Sequence, residues 1–209
     1  MSNDENIIVW GSGTPRTFRV FWMLHELGLE YQVKRIRTRT ADMDSDEFLA
    51  VSPGKKIPAI QHGPVTLVES GAIVFHLYHH FTPSKRNAGE MSEIMKWSFF
   101  ALMELDATAL YVMRRHRDLP EIYGDAPAAV ASSAEYFGRQ SKVIAQDLSD
   151  GREFMVGQSL TPADIFVAST CEWAVAYGLS LPDALADYHR NLSQRSAYIE
   201  AGEANLLDI

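Results

Sequence analysis

The apolar positions of this chain follow two periods. Ile7 to Trp10 is a short, unbroken apolar run that ends at Gly11-Ser12-Gly13, the pattern of a buried strand running into a tight turn. Directly after it, Val20, Met23, Leu24 and Leu27 recur at helical spacing. Thr14 and Pro15 supply an N-cap and a first helical position there, and Gly28 supplies the stop. Tyr31 to Ile36 predicts a second strand, and a strand-helix-strand unit is normally parallel with a right-handed crossover. After a polar linking stretch from Ala41 to Ser52, the runs Ile57 to Ile60 and Val65 to Val68 flank His62-Gly63-Pro64 and predict an antiparallel hairpin. Ser70 then caps a helix whose inward face carries Ile73, Val74, Leu77 and Phe81. The predicted order is β, α, β, link, β, β, α.

From Thr82 to Glu90 the periodicity lapses around Pro83, Gly89 and several charges, which sets a domain boundary: a first domain over 1–82, a linker over 83–90 and a second domain over 91–209. The second domain reads as helical throughout, with helices over Met91 to Arg117, Pro127 to Leu148, Pro162 to Tyr177 and Pro182 to Ser193. The first of these is apolar around most of its circumference, through Trp97, Phe99, Phe100, Ala101, Leu102, Met103 and Leu105. Such a helix needs cover on two sides, either inside its own bundle or from a second copy of the chain about a two-fold axis.

Composition narrows the function classes. With 27 acidic against 19 basic residues the net charge is -8, which repels phosphate backbones and anionic membrane surfaces, so neither nucleic acid nor membrane is expected as a partner. At 46% apolar and 22% charged residues, the 209-residue chain has globular composition. Cys171 is the sole cysteine, which excludes an internal disulfide and a CxxC redox or zinc site and fits a reducing compartment. Apolar runs stay far below the roughly 20 residues of a membrane span, and the first residues are polar, so a cytoplasmic location is expected.

Three places combine a helix start or a strand end with usable chemistry. Thr14 reads first as a cap that satisfies a free N–H, but a hydroxyl beside a helix N-terminus also lies where anions are favoured. Lys56-Ile57-Pro58 reads as an ordinary edge proline, or as a cis turn that leaves the Ile57 amide and carbonyl free to bind an extended peptide. Glu69-Ser70 reads as helix capping, and equally as a site for a carboxylate at the helix N-terminus with Glu69 against an ammonium. Arg35, Arg37 and Arg39 alternate along an extended segment and read as a solvated face. His76, His79 and His80 lack an acidic or thiol partner at metal-ligand spacing, so no metal is expected. Gly11-Ser12-Gly13 falls short of a dinucleotide fingerprint because the third glycine position is Arg16.

These pieces, in this order, resemble the glutathione S-transferase superfamily from Ile7 to about Ala201. Gly11 to Val20, ending in Leu24-His25-Glu26-Leu27-Gly28, resembles the family's first turn and helix. Ser52 to Ile60 resembles its cis-proline loop, Glu69 to Ile73 its γ-glutamyl site, and Thr161-Pro162-Ala163-Asp164-Ile165 its structural capping box, with Leu160 and Ile165 as a staple. The motifs are theta-like, of a bacterial type in the serine/threonine-hydroxyl class. The resemblance implies a thioredoxin-like N-terminal domain (βαβ-ββα) followed by an all-α bundle. It also implies glutathione as co-substrate without a metal, a homodimer and a role in detoxification. Trp10 stands where tyrosine-type members carry their tyrosine, and no cysteine lies near position 14, which disfavours the tyrosine-type, cysteine-type, glutaredoxin-like and zeta-type activities.

By the same resemblance, Thr14 is the hydroxyl that activates the thiol, with Ser12 close enough to compete. Lys56, Ile57 and Pro58 hold the cysteinyl-glycine part, Glu69 and Ser70 the γ-glutamyl end, Arg39 is a further contact, and Asp106 reaches across a dimer to the ligand's amine. The electrophile lies between the domains near Tyr111, Arg114, Trp173 and Tyr177. The implied reaction is attack of the glutathione thiolate on a small hydrophobic electrophile. The alternatives are a transferase-like interaction module without thiol chemistry and a carrier of glutathione conjugates.

Overall fold

The computed structural model describes residues 6–82 and 86–206. Its first unit is built on β1 (Ile7–Trp10), β2 (Gln32–Lys34), β3 (Ala59–His62) and β4 (Val65–Val68), with α1 (Pro15–Glu26), α2 (Asp46–Val51) and α3 (Ser70–Phe81). The sheet order is β2-β1-β3-β4: β2 runs parallel to β1, while β3 and β4 run antiparallel to their neighbours. Alternation along β1 sends Ile7 and Val9 to one face and Ile8 and Trp10 to the other. The Trp10 face is covered by α2, whose Phe48 ring lies 6.1 Å from Trp10 and packs with Ile36, Val51 and Ala59. The sequence reading takes 41–52 as a polar link. Ser45 instead caps a short helix that buries Phe48 and Val51 one turn apart.

The register aligns one residue from each strand. Lys34 pairs with Trp10, Trp10 with Ala59, and Ala59 with Val68, so these four residues form one row across the sheet. The segments that leave β1, enter β3 and leave β2 and β4 therefore all emerge along the same edge.

The second unit spans Arg86–Gln194. It opens with α4 (Ala88–Phe100), capped by Asn87 in a reciprocal box with Glu90, so the helix starts ahead of the predicted Met91. Of the predicted linker, 83–85 lie outside the described residues. The run continues in wider π-helical turns over Ala101–Leu110, a short α5 (Tyr111–Met113) and a further π turn over Arg114–Asp118. Then come α6 (Pro120–Tyr123), α7 (Pro127–Asp147), α8 (Pro162–Ala176) and α9 (Asp183–Ser193). No strand follows Val68 among the described residues. Helix α8 is the buried centre, with Ile165, Phe166, Val167, Ala168 and Cys171 fully enclosed. Its capping residue Asp164 accepts hydrogen bonds from the Thr161 N–H (2.7 Å), the Thr161 hydroxyl (2.9 Å), the Met155 N–H (2.7 Å) and the Tyr188 hydroxyl (2.7 Å).

A last helix, α10 (Ser196–Asn205), departs from the sequence reading, which assigns everything after 91 to the helical domain. Residues 195–206 instead group with 6–82 in the first unit. The reason is a set of contacts with α1. Tyr198 meets Phe18 and Trp22 edge-on at 4.9 and 4.8 Å, and the Arg195 guanidinium makes two 2.7 Å hydrogen bonds to the Glu26 carboxylate.

Candidate functional site along one edge of the sheet

Beyond the Trp10 end of β1, Gly11 adopts φ +94°, and a Cβ there would lie 2.5 Å from the Ile57 Cβ. Only glycine permits this approach, which brings the turn before α1 against the loop before β3. Ser12 is 2% exposed and accepts a 3.2 Å hydrogen bond from Arg35 Nη1. Thr14 is half-buried and caps α1. Its Oγ1 accepts the Thr17 N–H at 3.1 Å, and Thr17 Oγ1 accepts the Thr14 N–H at 2.9 Å. The Gly13 N–H is held by Asn205, at 2.8 Å from the backbone oxygen and 3.0 Å from Oδ1. Pro15 has no N–H. The helix mouth therefore offers an anion its macrodipole, while the N–H groups of Gly13, Thr14 and Thr17 are already engaged. The Thr14 hydroxyl also lies 3.0 Å from Thr17 Oγ1, and it can offer its hydrogen to an anion in exchange for that contact.

The loop before β3 is fixed by Ser52, which donates to the Lys56 carbonyl at 2.8 Å and accepts the Lys56 N–H at 3.1 Å. The Ile57–Pro58 bond is cis. No partner among the described residues takes the Ile57 N–H or C=O. Beyond β4, Glu69 has φ +70° and occupies the N-cap of α3 without a side-chain capping bond, while Ser70 is the first helical residue and is buried. The cap thus lies one residue ahead of the predicted Ser70. A non-glycine residue held at positive φ costs about 1–3 kcal/mol. Arg39 is exposed, also at positive φ (+63°), and its N–H points to the Met43 sulfur.

In the second unit, Trp173 and Tyr177 lie edge-on at 5.8 Å, and Arg117 stacks over Tyr177 at 3.8 Å. The Tyr177 hydroxyl donates to Asp118, and burial together with that carboxylate pushes the phenol up to about 12. Burial works to raise the Asp118 carboxyl, but hydrogen bonds from Tyr177 and Arg117 and the charges of Arg117 and Arg114 hold it below its usual range. Tyr111 belongs to a different group, under the guanidinium of Arg115, which also lies 5.1 Å from Tyr123. Asp106 is 1% exposed and does not stand on an open face from which to reach a ligand held by another copy. Burial, with the nearby Glu172, pushes the Cys171 thiol up, which leaves it unreactive. Among the described residues no group of three or more His, Cys, Asp or Glu is arranged to hold a metal.

Residues 5–79 match the family model of the glutathione S-transferase N-terminal domain. A glutathione S-transferase domain-containing protein of Dictyostelium discoideum is 34% identical over 117 residues, covering 50% of this chain and 45% of that one. The chain spans about half the length of the first curated relatives it matches. A solved glutathione transferase family member from Pseudomonas fluorescens, with two glutathione bound, superposes with a TM-score of 0.81 at 26% identity over 96% of this chain and 94% of that one. Residues 5–79 therefore form a glutathione S-transferase N-terminal domain, and the chain as a whole has the fold of that superfamily. Ure2p in complex with glutathione has the same fold, with a TM-score of 0.86 at 21% identity over 96% and 95% of the two chains.

The two hydroxyls that the sequence leaves in competition differ in burial and in partners. Ser12 is enclosed and turned to Arg35, whereas Thr14 is accessible at the helix mouth. Arg35 is not part of a merely solvated row. Besides Ser12 it reaches the backbone oxygens of Leu206 (2.6 Å) and Ala204 (3.4 Å). Sequence reasoning also passes over Thr17, Asn205, Arg117 and Asp118. Thr17 carried a signal, three residues beyond an N-cap threonine. Asn205 carried none, being 192 residues from Gly13.

Proposed function

We propose that this chain is a glutathione transferase in which Thr14 stabilises the thiolate of bound glutathione for attack on a small hydrophobic electrophile. The supporting observation is the register row Lys34-Trp10-Ala59-Val68. Strands lie about 4.8 Å apart, so the ends of β1 and β4 are about 10 Å from one another, the length of an extended tripeptide. Along that edge stand a hydroxyl, a backbone N–H and C=O without partners, and a carboxylate beside a serine. These suit, in turn, a thiolate, a peptide unit and an amino acid head group.

In this reading Ile57 pairs with the cysteinyl backbone, Pro58 shapes that loop, and Lys56 and Arg39 face the glycyl carboxylate. Glu69 takes the ammonium and Ser70 the γ-glutamyl carboxylate. Thr14 donates to the sulfur. A hydrogen bond to a charged group is worth about 1.5–3 kcal/mol, or one to two pKa units, enough to bring a thiol from about 8.5 to near neutrality. The thiolate then forms a C–S bond to the electrophile, the leaving group departs with the electron pair, and the thiol proton has already passed to solvent. Trp173 and Tyr177, with Arg114 acting on the neighbouring Asp118, are assigned to the electrophile, since aromatic faces with a few polar groups suit apolar substrates, while Tyr111 stands apart from them under Arg115. Detoxification in the cytoplasm is the role this reading carries.

We also infer a homodimer. Met95, Phe99 and Met103 form an exposed stripe at successive helical turns, 39%, 56% and 57% exposed, which supports cover by a second copy.

Retention on immobilised glutathione, followed by turnover of a chlorinated nitroarene, tests the assignment. Wild type is expected to be retained and active, and Thr14→Val retained with turnover at least tenfold lower. Absence of retention would indicate an interaction module, and retention without turnover a conjugate carrier. Equal turnover by wild type and Thr14→Val would remove Thr14 from the chemistry.

A further inference from the structure

We infer that Asn205, at the end of α10, is a positioning residue for Thr14. This rests on the proposed role of Thr14 as thiolate donor. Asn205 holds the turn before α1 on both sides of the Thr14 Cα. Its backbone oxygen and Oδ1 accept the Gly13 N–H at 2.8 and 3.0 Å, and its Nδ2 donates to the Thr14 carbonyl at 3.1 Å. The same Oδ1 accepts the Thr17 hydroxyl at 2.6 Å, shorter than that hydroxyl's alternatives, the Thr14 carbonyl at 2.8 Å and the Thr14 hydroxyl at 3.0 Å.

Thr17 is the residue whose N–H and Oγ1 fix the Thr14 side chain and backbone, so one amide orients every group that sets where the Thr14 hydroxyl points. Arg35 clamps the end of the helix through the carbonyls of Ala204 and Leu206 while holding Ser12 on the near side of the same turn. Helix α10 thus reaches across from the far end of the chain to hold the donor in one place. A displacement of about 1 Å at a reacting group is enough to cost up to a hundredfold in rate.

Asparagine is suited to this because it presents an acceptor and a donor together. Aspartate keeps the shape, but it replaces the donor facing the Thr14 carbonyl with a second acceptor and places a negative charge at the helix mouth, where it opposes a thiolate.

The test is a pH titration of the thiolate absorbance of glutathione bound to the full chain, with glutathione affinity from calorimetry and thermal melting alongside. Wild type is compared with Asn205→Ala, Asn205→Asp and Arg35→Met. The expected result is glutathione affinity within about threefold of wild type for Asn205→Ala, since the peptide is held by Ile57, Glu69 and Ser70. Its bound-thiol pKa rises by half a unit or more, and that of Asn205→Asp rises by at least one. Arg35→Met alters only an exposed side chain. It is expected to stay folded and to shift the thiol in the same direction by less, which keeps the test open if an Asn205 variant does not fold. An unchanged thiol pKa in all the folded variants, beside a lowered one in wild type, overturns the role of Asn205 alone. A wild type that leaves the bound thiol at its free value overturns the reading of Thr14 on which it rests. Faster turnover or tighter glutathione binding in Asn205→Ala also overturns the proposal, because Asn205 would then obstruct the site.

Discussion

Thr14 has one hydrogen to give: its oxygen accepts the Thr17 N–H, the Thr17 hydroxyl is drawn to Asn205, and a thiolate would take the Thr14 hydrogen from its 3.0 Å contact with Thr17 Oγ1. Glu69 shows the complementary economy, a charged side chain kept on a backbone that favours glycine. Glu69→Gly is therefore expected to melt at the same temperature as wild type or higher, because relief of about 1 kcal/mol or more of strain offsets the added chain entropy. It should bind glutathione at least tenfold more weakly, since a charge-assisted hydrogen bond to the ammonium is lost. Calorimetric titration and a thermal scan on one preparation check both. The helix starts at Thr14 and Glu69 were legible in the sequence to within a residue, because each stands where a strand pattern stops and a helix pattern begins. The burial of Ser12 and its contact with Arg35 could not be read there, because both are set by tertiary folding. Asn205 and Arg35 were illegible because their partners are set by tertiary folding.

At the scale of elements, α8 was readable to within a residue or two. Its capping box is local, and Thr161-Pro162 fixes the start whatever surrounds it. Asp164 also accepts from Met155 and Tyr188, which the spacing did not show. Asp164→Ala leaves these buried donors without an acceptor and is expected to lower stability by about 3–5 kcal/mol in urea unfolding. Helices α2 and α10 were missed because each presents only a narrow apolar face: Phe48 and Val51 in one, Ala197 and Ala201 in the other.

Helix α3 carries a pH dependence of its own. His76 accepts or donates a 3.0 Å bond to His62 and stacks on His80. Burial, with His62, His80 and His79 around it, lowers its pKa below the ordinary value of 6.5. Below that value the unfolded chain binds the proton that the folded chain resists, so this contribution to stability is present at neutral pH and is lost on acidification. Urea midpoints measured at pH 7.5 and 5.5 should fall at the lower pH, and the drop should shrink in His76→Gln.

For the whole molecule, the change from a mixed α/β first part to helices was legible, and the grouping of the last helix was not. Nothing in the periodicity of 195–205 tells which earlier helix it meets. The exposed stripe of Met95, Phe99 and Met103 carries the expectation of a second copy. Phe99→Asp is expected to convert a dimer into a folded monomer, read by light scattering on a sizing column. A wild type that already runs as a monomer would remove that expectation.

Whether the Thr14 hydroxyl lowers the pKa of a bound thiol is addressed most directly by titrating glutathione on wild type and on Thr14→Val through its thiolate absorbance. The predicted result is a bound pKa about one to two units below the free thiol in wild type, returning most of the way in Thr14→Val. The same lowered value in both proteins, or no lowering in wild type, would contradict it.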